Sequence, residues 1–529
     1  MPIVTVILPN RQYHIETQEH ANLLDLLLKS SIPIQAPCGG HGSCKKCNVM
    51  LNESGKTSEV FACKTTVNRD CTVTVPASSL LLSSISEDYK KQSDSDPVLK
   101  THEYGAAVDL GTTTVVVSLI SLTSGQTAGT KKEWNTQISY GADVISRLKY
   151  IQDHADGLSR LSKLIQKQIA RMTHDLCEKT AIPFDRIKEM TISGNTVMQH
   201  IFAGIDPSPI AAAPYLPHTL FHENKFWKID LFAGIKIQLF PCISNFVGGD
   251  ITAGLLASGL WHKDGTYLFL DVGTNGEMAI GGRHGFLTCS VASGPAFEGA
   301  EITCGMTGNP GAIHQITWHE DECKFHMHTI GDTLPIGICG SGLIDLLAIL
   351  LDIGLLDETG LLLSPKDAKK KLPRMTLARL RQALGYHFLE ADENGNGIFY
   401  LKRSPNIFLT LSDIRKVQLA KAAIAAGIRI LLQAAKKQPH EIDGLYIAGG
   451  FGKSLNIKNA ARIGMIPDEL TDRITCIGNS SLSGAKKLLL DKTSIQTTSD
   501  IVQNSNYIEL SGNPDFRNAF IDEMNFSVN

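Results

Sequence analysis

The chain has 529 residues, with 50 Lys and Arg against 53 Asp and Glu and a formal net charge of −3. That length calls for about three or four domain-sized units, and so balanced a charge gives no electrostatic footprint for nucleic acid or an anionic membrane. Twelve cysteines, scattered along the chain, suit a reducing cytoplasm better than a disulfide framework. From the N-terminus, Ile3-Val4-Thr5-Val6-Ile7-Leu8 reads as a strand with no signal peptide before it, and a turn follows at Pro9-Asn10. Ala21 to Leu28 reads as a helix, and Thr72-Val73-Thr74-Val75-Pro76 closes the unit as a terminal strand.

Between that helix and the last strand lies Cys38-Gly39-Gly40-His41-Gly42-Ser43-Cys44-Lys45-Lys46-Cys47, followed by Cys63. This C-x5-C-x2-C…C spacing is that of a [2Fe–2S] ferredoxin, in which each iron takes two thiolates and the glycines let backbone N–H groups turn toward the sulfurs. The first gap is one residue longer than in plant-type ferredoxins and resembles the adrenodoxin-like variant. Cys44-x2-Cys47 alone would suit a zinc knuckle, but the strand and helix frame favours iron. Cys38, Cys44, Cys47 and Cys63 are therefore the expected metal ligands of a chain that carries electrons. Cys71 reads as a small buried apolar residue, and His41 as a loop residue near the cluster. Residues 1–80 resemble the ferredoxin β-grasp, an α+β fold.

Residues 81–102 lack apolar periodicity, are rich in serine and charge, and read as a flexible linker. A new strand then enters Asp109-Leu110-Gly111-Thr112-Thr113-Thr114, and the pattern recurs at Asp271-Val272-Gly273-Thr274-Asn275-Gly276-Glu277. One Asp-x-Gly-Thr is a commonplace turn. Two make an internal repeat, suited to give backbone N–H groups and hydroxyls to a nucleotide's phosphates while the carboxylates hold Mg²⁺ through its waters, the two hairpins facing each other across a cleft. A third glycine motif, Gly449-Gly450-Phe451-Gly452, ends a strand and lets an adenosine approach the backbone.

This set resembles the actin, sugar kinase and Hsp70 ATPase superfamily, which implies an α/β two-lobed domain of ribonuclease H-like subdomains. It would span 103–500, as subdomain I over about 103–260 and subdomain II over about 265–500, with 501–529 a C-terminal extension. Gly111, Thr112, Thr113, Gly273, Thr274 and Asn275 become the phosphate contacts. Gly449, Gly450, Phe451 and Gly452 become the adenosine contacts, and Asp109 and Asp271 the Mg²⁺ carboxylates. Phe246 to Gly254 and Gly478 to Ala485 resemble the two connecting helices, whose small residues permit the close packing of a hinge.

Other signals are open or bland. Glu277 either positions the attacking water or Mg²⁺, or packs at a strand end. Gly337-Ile338-Cys339-Gly340-Ser341-Gly342-Leu343-Ile344-Asp345 either lines the nucleotide cleft or caps an apolar helix. The Gly-Lys-Ser at 452–454 lacks the glycine offset of a P-loop. Helices expected at Leu158 to Leu176 and Gln418 to Leu432 are core. The apolar stretch around Leu343 to Leu363 is broken by four acidic residues and cannot span a bilayer. His314, His326 and His328 lack a convergent ligand pattern and read as structural.

Over residues 1 to about 490 the chain resembles the reductive activators of corrinoid proteins, through Cys38 to Cys47, Tyr140 to Arg147, Ser193 to Met198, Phe246 to Gly254, Ala292 to Ala300 and Gly337 to Asp345. The resemblance implies a [2Fe–2S] cluster, ATP and Mg²⁺ as cofactors. It further implies a corrinoid protein of a methyl-transfer system as partner, a low-potential electron donor, and a homodimer. The implied reaction restores Co(I) from Co(II). Each 59 mV uphill in a one-electron step costs about 1.4 kcal/mol, so a plant-type cluster at about −400 mV falls short of the corrinoid potential and ATP offsets the gap. The alternatives are an ATP-gated electron carrier, an activator of dehydratase or reductase type, and a small-metabolite kinase with a fused ferredoxin.

Overall fold

The computed structural model describes all residues except 10, 31, 33, 37, 41, 43, 77–78, 81–83, 90–101, 300, 450–453 and 528–529. It divides into two units, one of residues 1–253 with 481–499, the other of 254–480 with 500–529.

In the first unit, period-two alternation in Ile3–Leu8 sends Val4 and Val6 into a core while Ile3 and Ile7 face outward. The strand pairs antiparallel with Arg11–Glu16 and parallel with Cys71–Thr74, which continues into Asn48–Glu53 and Lys56–Phe61. The expected helix runs over Leu23–Lys29. Asn22 caps it by accepting from the Asp25 N–H, and Leu23 and Leu27 are fully buried against the sheet. This domain is seated on the rest of its unit. The Ser139 hydroxyl donates to the Ile34 carbonyl at 2.6 Å, and Leu28 packs on both cores.

The stretch expected to be a flexible linker is in part a strand: Ser84–Tyr89 pairs antiparallel with Thr127–Trp134. Its residues 81–83 and 90–101 lie outside the described residues. The correction has a simple cause, because an edge strand gains backbone hydrogen bonds on one side and needs no apolar alternation to form.

The rest of the first unit is built on a sheet whose middle is the antiparallel meander Tyr104–Leu110, Thr114–Ser121 and Thr127–Trp134. Ile187–Gly194 and Lys236–Leu239 add in parallel on the Tyr104–Leu110 side. The helix Gly157–Thr180 covers the sheet with Leu161, Ile165, Ile169, Met172 and Leu176, all fully buried. Each such side chain contributes about 1.5–3 kcal/mol of burial.

The second unit repeats that plan. Its meander is Tyr267–Val272, Gly276–Gly282 and Gly285–Val291, with Gly444–Ala448 and Ile474–Gly478 added in parallel beyond Tyr267–Val272. The expected repeat of two hairpins is thus a repeat of whole sheets. The helix Leu411–Ala434 is long and apolar enough to cross a membrane, but 72% of its apolar window is buried as core.

Two boundaries differ from those expected from the sequence. Residues 501–529 do not stand apart as an extension: Ser505–Tyr507 pairs with the edge strand Gly285–Val291, and Phe526 is 2% exposed. Residues 481–499, expected in the second subdomain, belong to the first unit. There Gly484 lies so close to Ala253 that a Cβ would sit 2.1 Å from the Ala253 carbonyl oxygen, so no side chain fits between the two helices.

Candidate functional site

The cysteine loop is held at both ends. Asn22 both caps the Leu23–Lys29 helix and donates to the Cys63 carbonyl at 3.0 Å. The sulfurs of Cys38 and Cys44 lie 3.3 Å apart. Burial pushes the Cys38 thiol up, but the N–H groups of Cys44, Gly42 and Gly40 aimed at its sulfur overcome this and hold it down at about 6. Burial, then the adjacent Cys47 sulfur, push Cys63 up to about 12, and Cys38 also acts on it. Four thiols crowding one another, with backbone N–H donors aimed at sulfur, make a donor set that fits an iron–sulfur cluster on all four. Cys71 sits in the sheet core, where burial raises its thiol to about 11.

In the first Asp-x-Gly-Thr hairpin, Asp109 lies near the end of a buried strand and accepts from the Ser481 hydroxyl at 2.8 Å. Ser481 in turn hydrogen-bonds Ser193, the residue paired with Asp109 on the neighbouring strand, at 2.7 Å. The turn itself is gripped from behind. Asn135 donates to the Gly111 carbonyl at 2.9 Å, Asn195 to the Thr112 hydroxyl at 2.9 Å, and Arg147 to the Thr112 carbonyl at 2.5 Å. Arg147 is fully buried and also donates to the Gly141 carbonyl and the Gln137 side chain. Burial lowers it to about 9, which leaves it charged at neutral pH. Methionine at 147 is expected to strip donors from three oxygens, at about 1–3 kcal/mol each. Denaturant unfolding should show the loss and ATP titration a raised KM.

Half-buried Asp250, at the start of the helix Gly249–Ser258, is the second carboxylate here. Burial and the neighbouring Asp109 raise it to about 7. Two carboxylates that disfavour each other's charge form an all-oxygen donor set that fits a divalent cation such as Mg²⁺.

In the second Asp-x-Gly-Thr hairpin, Asp271 and Glu277 face each other as a direct cross-strand pair, whereas Asp109 faces Val116. The Thr274 hydroxyl donates to Glu298 at 2.9 Å, and the Ser293 hydroxyl lies 3.2 Å from the Gly273 and Thr274 carbonyls. Gly449, the one described residue of the expected adenosine motif, lies beside this hairpin. Gly449 has φ +90°, and a Cβ there would lie 3.1 Å from Asp271 Oδ1. Gly450, Phe451 and Gly452 lie outside the described residues. In the Gly337 to Asp345 loop, buried Asp345 accepts from the Ile316 N–H at 2.9 Å and from Asn459 at 2.6 Å, while Ser341 donates to the His314 carbonyl at 2.7 Å. These contacts favour a packing role for the loop, one that ties down the helix Ile457–Arg462.

Sequence reasoning quoted the stretches holding Arg147, Asn195, Asp250, Ser293, Glu298 and Ser481 but assigned these residues no role, and it passed over Asn135. Their partners lie far away in the chain, and nothing in local spacing points to them.

Residues 104–263 match the family model described as the RACo middle region, and residues 265–529 the one described as the C-terminal domain of RACo, the ASKHA domain. The chain is 28% identical to the corrinoid activation enzyme RamQ of Eubacterium limosum, with 99% of each covered. It is 22% identical to the [Co(II) methylated amine-specific corrinoid protein] reductase of Methanosarcina barkeri, over 80% of this chain and 77% of that one. Among solved structures, a reductive activator for corrinoid, iron-sulfur protein aligns at 30% identity and a TM-score of 0.70, covering 99% of this chain and 98% of that one. The chain belongs to the RACo family of reductive activators of corrinoid proteins, and its C-terminal domain is an actin-, sugar kinase- and Hsp70-like ATPase domain.

Proposed function

We propose that this chain is an ATP-hydrolysing enzyme that returns the Co(II) corrinoid of a methyltransferase-associated corrinoid protein to Co(I) with one electron. The observation that carries the reading is the presence, in one chain, of a four-thiol loop with N–H donors aimed at sulfur and two Asp-x-Gly-Thr hairpins on repeated sheets. The names of the relatives, a corrinoid activation enzyme and a corrinoid protein reductase, support the substrate class.

Residues 1–80 act as the ferredoxin β-grasp domain in this reading. A [2Fe–2S] cluster on Cys38, Cys44, Cys47 and Cys63 would supply the single electron. Gly111, Thr112, Thr113, Gly273, Thr274 and Asn275 bind phosphate, and Gly449 to Gly452 bind the adenosine. Asp109 and Asp271 would hold Mg²⁺, with Asp250 beside Asp109 as a further carboxylate, and Glu277, opposite Asp271, would orient the attacking water. A low-potential donor reloads the electron, and a homodimer is the family's expectation. Twelve cysteines, four of them assigned to the cluster, suit a reducing cytoplasm.

Phosphate release measured with and without a corrinoid protein tests the enzymatic reading. Turnover that rises with the partner supports it. A switch that binds ATP without turning it over would release almost none.

A further inference from the structure

We propose that the hairpin of strands Ala312–His319 and Lys324–Thr329 carries a site for a divalent transition-metal ion, formed by His319, Glu322 and His326. The sequence alone reads His326 as structural. The ligand atoms of the three side chains all lie within 4.8 Å of one another. The register explains why. His319 pairs with Lys324 and Thr317 with His326, so the two histidines are diagonal neighbours on one face, within reach of each other's long side chains. Their rings meet edge to face with centroids 4.7 Å apart. Glu322, in the turn, folds back so that its carboxylate lies 3.1 Å from His326 Nε2.

The opposite face of the hairpin makes this arrangement firm. Trp318 and Phe325 pack on each other at 4.6 Å, and Phe325 is 5% exposed in the core. Exposed His319 and Glu322 and half-buried His326 therefore stand on an anchored support, and water can fill the remaining coordination positions. Thr317 Oγ1 lies 3.3 Å from His319 Nε2 and can orient that ring. Of the two other turn carboxylates, Glu320 and Asp321, Glu320 is engaged by Arg379. Lys324 is the one basic side chain paired across from His319 among the described residues, and it opposes a cation there.

Two imidazoles and one carboxylate select zinc-like ions. Zn²⁺ takes nitrogen and oxygen ligands at about 2.0–2.2 Å, so a modest rotamer adjustment closes the present spacing around it. Mg²⁺ and Ca²⁺ want oxygen ligands throughout and gain little from imidazole. The cluster shares no residue with the cysteine loop or the phosphate hairpins.

The test is calorimetric titration of the full-length, cluster-loaded chain with ZnCl₂, without nucleotide. Iron then occupies four of the twelve thiols, and the histidine variants distinguish the proposed site from zinc held by the others. One saturating zinc equivalent is expected, with MgCl₂ giving none at the same concentrations. His319→Ala and His326→Ala should each weaken zinc binding by at least about tenfold, and Glu322→Gln should weaken it as well. His319 and Glu322 are exposed and His326 is half-buried, so circular dichroism and the cluster's visible spectrum should be unchanged. No saturable heat, or equal affinity in the double variant His319→Ala with His326→Ala, overturns the site and leaves a surface His326–Glu322 ion pair only.

Discussion

Cys47→Ala is expected to remove the cluster and abolish Co(I) formation while leaving ATP binding largely intact. Cys47 is 1% exposed and lies in the core of the N-terminal sheet domain with Val49, Ala62 and Cys63. Its sulfur faces Cys63 and is the inner wall of the thiol set. Alanine removes one ligand atom but little volume, so the packing loss stays at about 1 kcal/mol while three thiolates cannot complete a cluster that needs four. Iron and acid-labile sulfide analysis, with nucleotide binding measured alongside, reads both halves of the result. Cys63→Ala should behave the same way and Cys71→Ala should keep its cluster. The reverse pattern at Cys63 and Cys71 would show that the ligand set is wrong.

Asp271→Ala, and separately Asp109→Ala, should lower ATP hydrolysis on the order of 10²-fold or more, as expected when charge stabilisation built into a transition state is removed. Each aspartate ends a strand whose backbone is fixed on both sides, so alanine should not move the hairpin. Nucleotide affinity should fall too, because Mg²⁺ accompanies ATP. The cluster spectrum is the internal control and should not change. Full turnover in both variants removes the ATPase assignment.

What the sequence made legible follows from chemistry that dictates residue type. Thiols at a fixed spacing and a repeated Asp-x-Gly-Thr turn are visible in the sequence itself, and the structure sets the thiols among backbone N–H donors and each turn at the head of a repeated meander. Buried helices such as Gly157–Thr180 announce themselves by apolar period. Arg147 did not, because a lone arginine on a helix gives no hint that its guanidinium serves the Thr112 carbonyl 35 residues earlier. The same holds for Ser481, 372 residues from the Asp109 it contacts. Ser84–Tyr89 was read as linker since a polar edge strand has no pattern to detect. His326 was read as structural and His319 was not singled out, because only strand register makes the two neighbours. The division of the chain failed where it assumed continuity, as residues 481–499 return to the first unit after the second is largely built.

The central claim, that one chain couples nucleotide turnover to electron delivery, is tested most directly by the corrinoid absorption spectrum. With chemically reduced cluster, Mg²⁺-ATP and a cognate Co(II) corrinoid protein, the Co(I) spectrum should appear, and omission of ATP should leave Co(II) nearly untouched. Asp271→Ala should retain a reducible cluster and still fail, and Cys47→Ala should fail with its nucleotide site complete. Co(I) appearing equally fast without nucleotide, across a panel of corrinoid partners, would contradict the coupling.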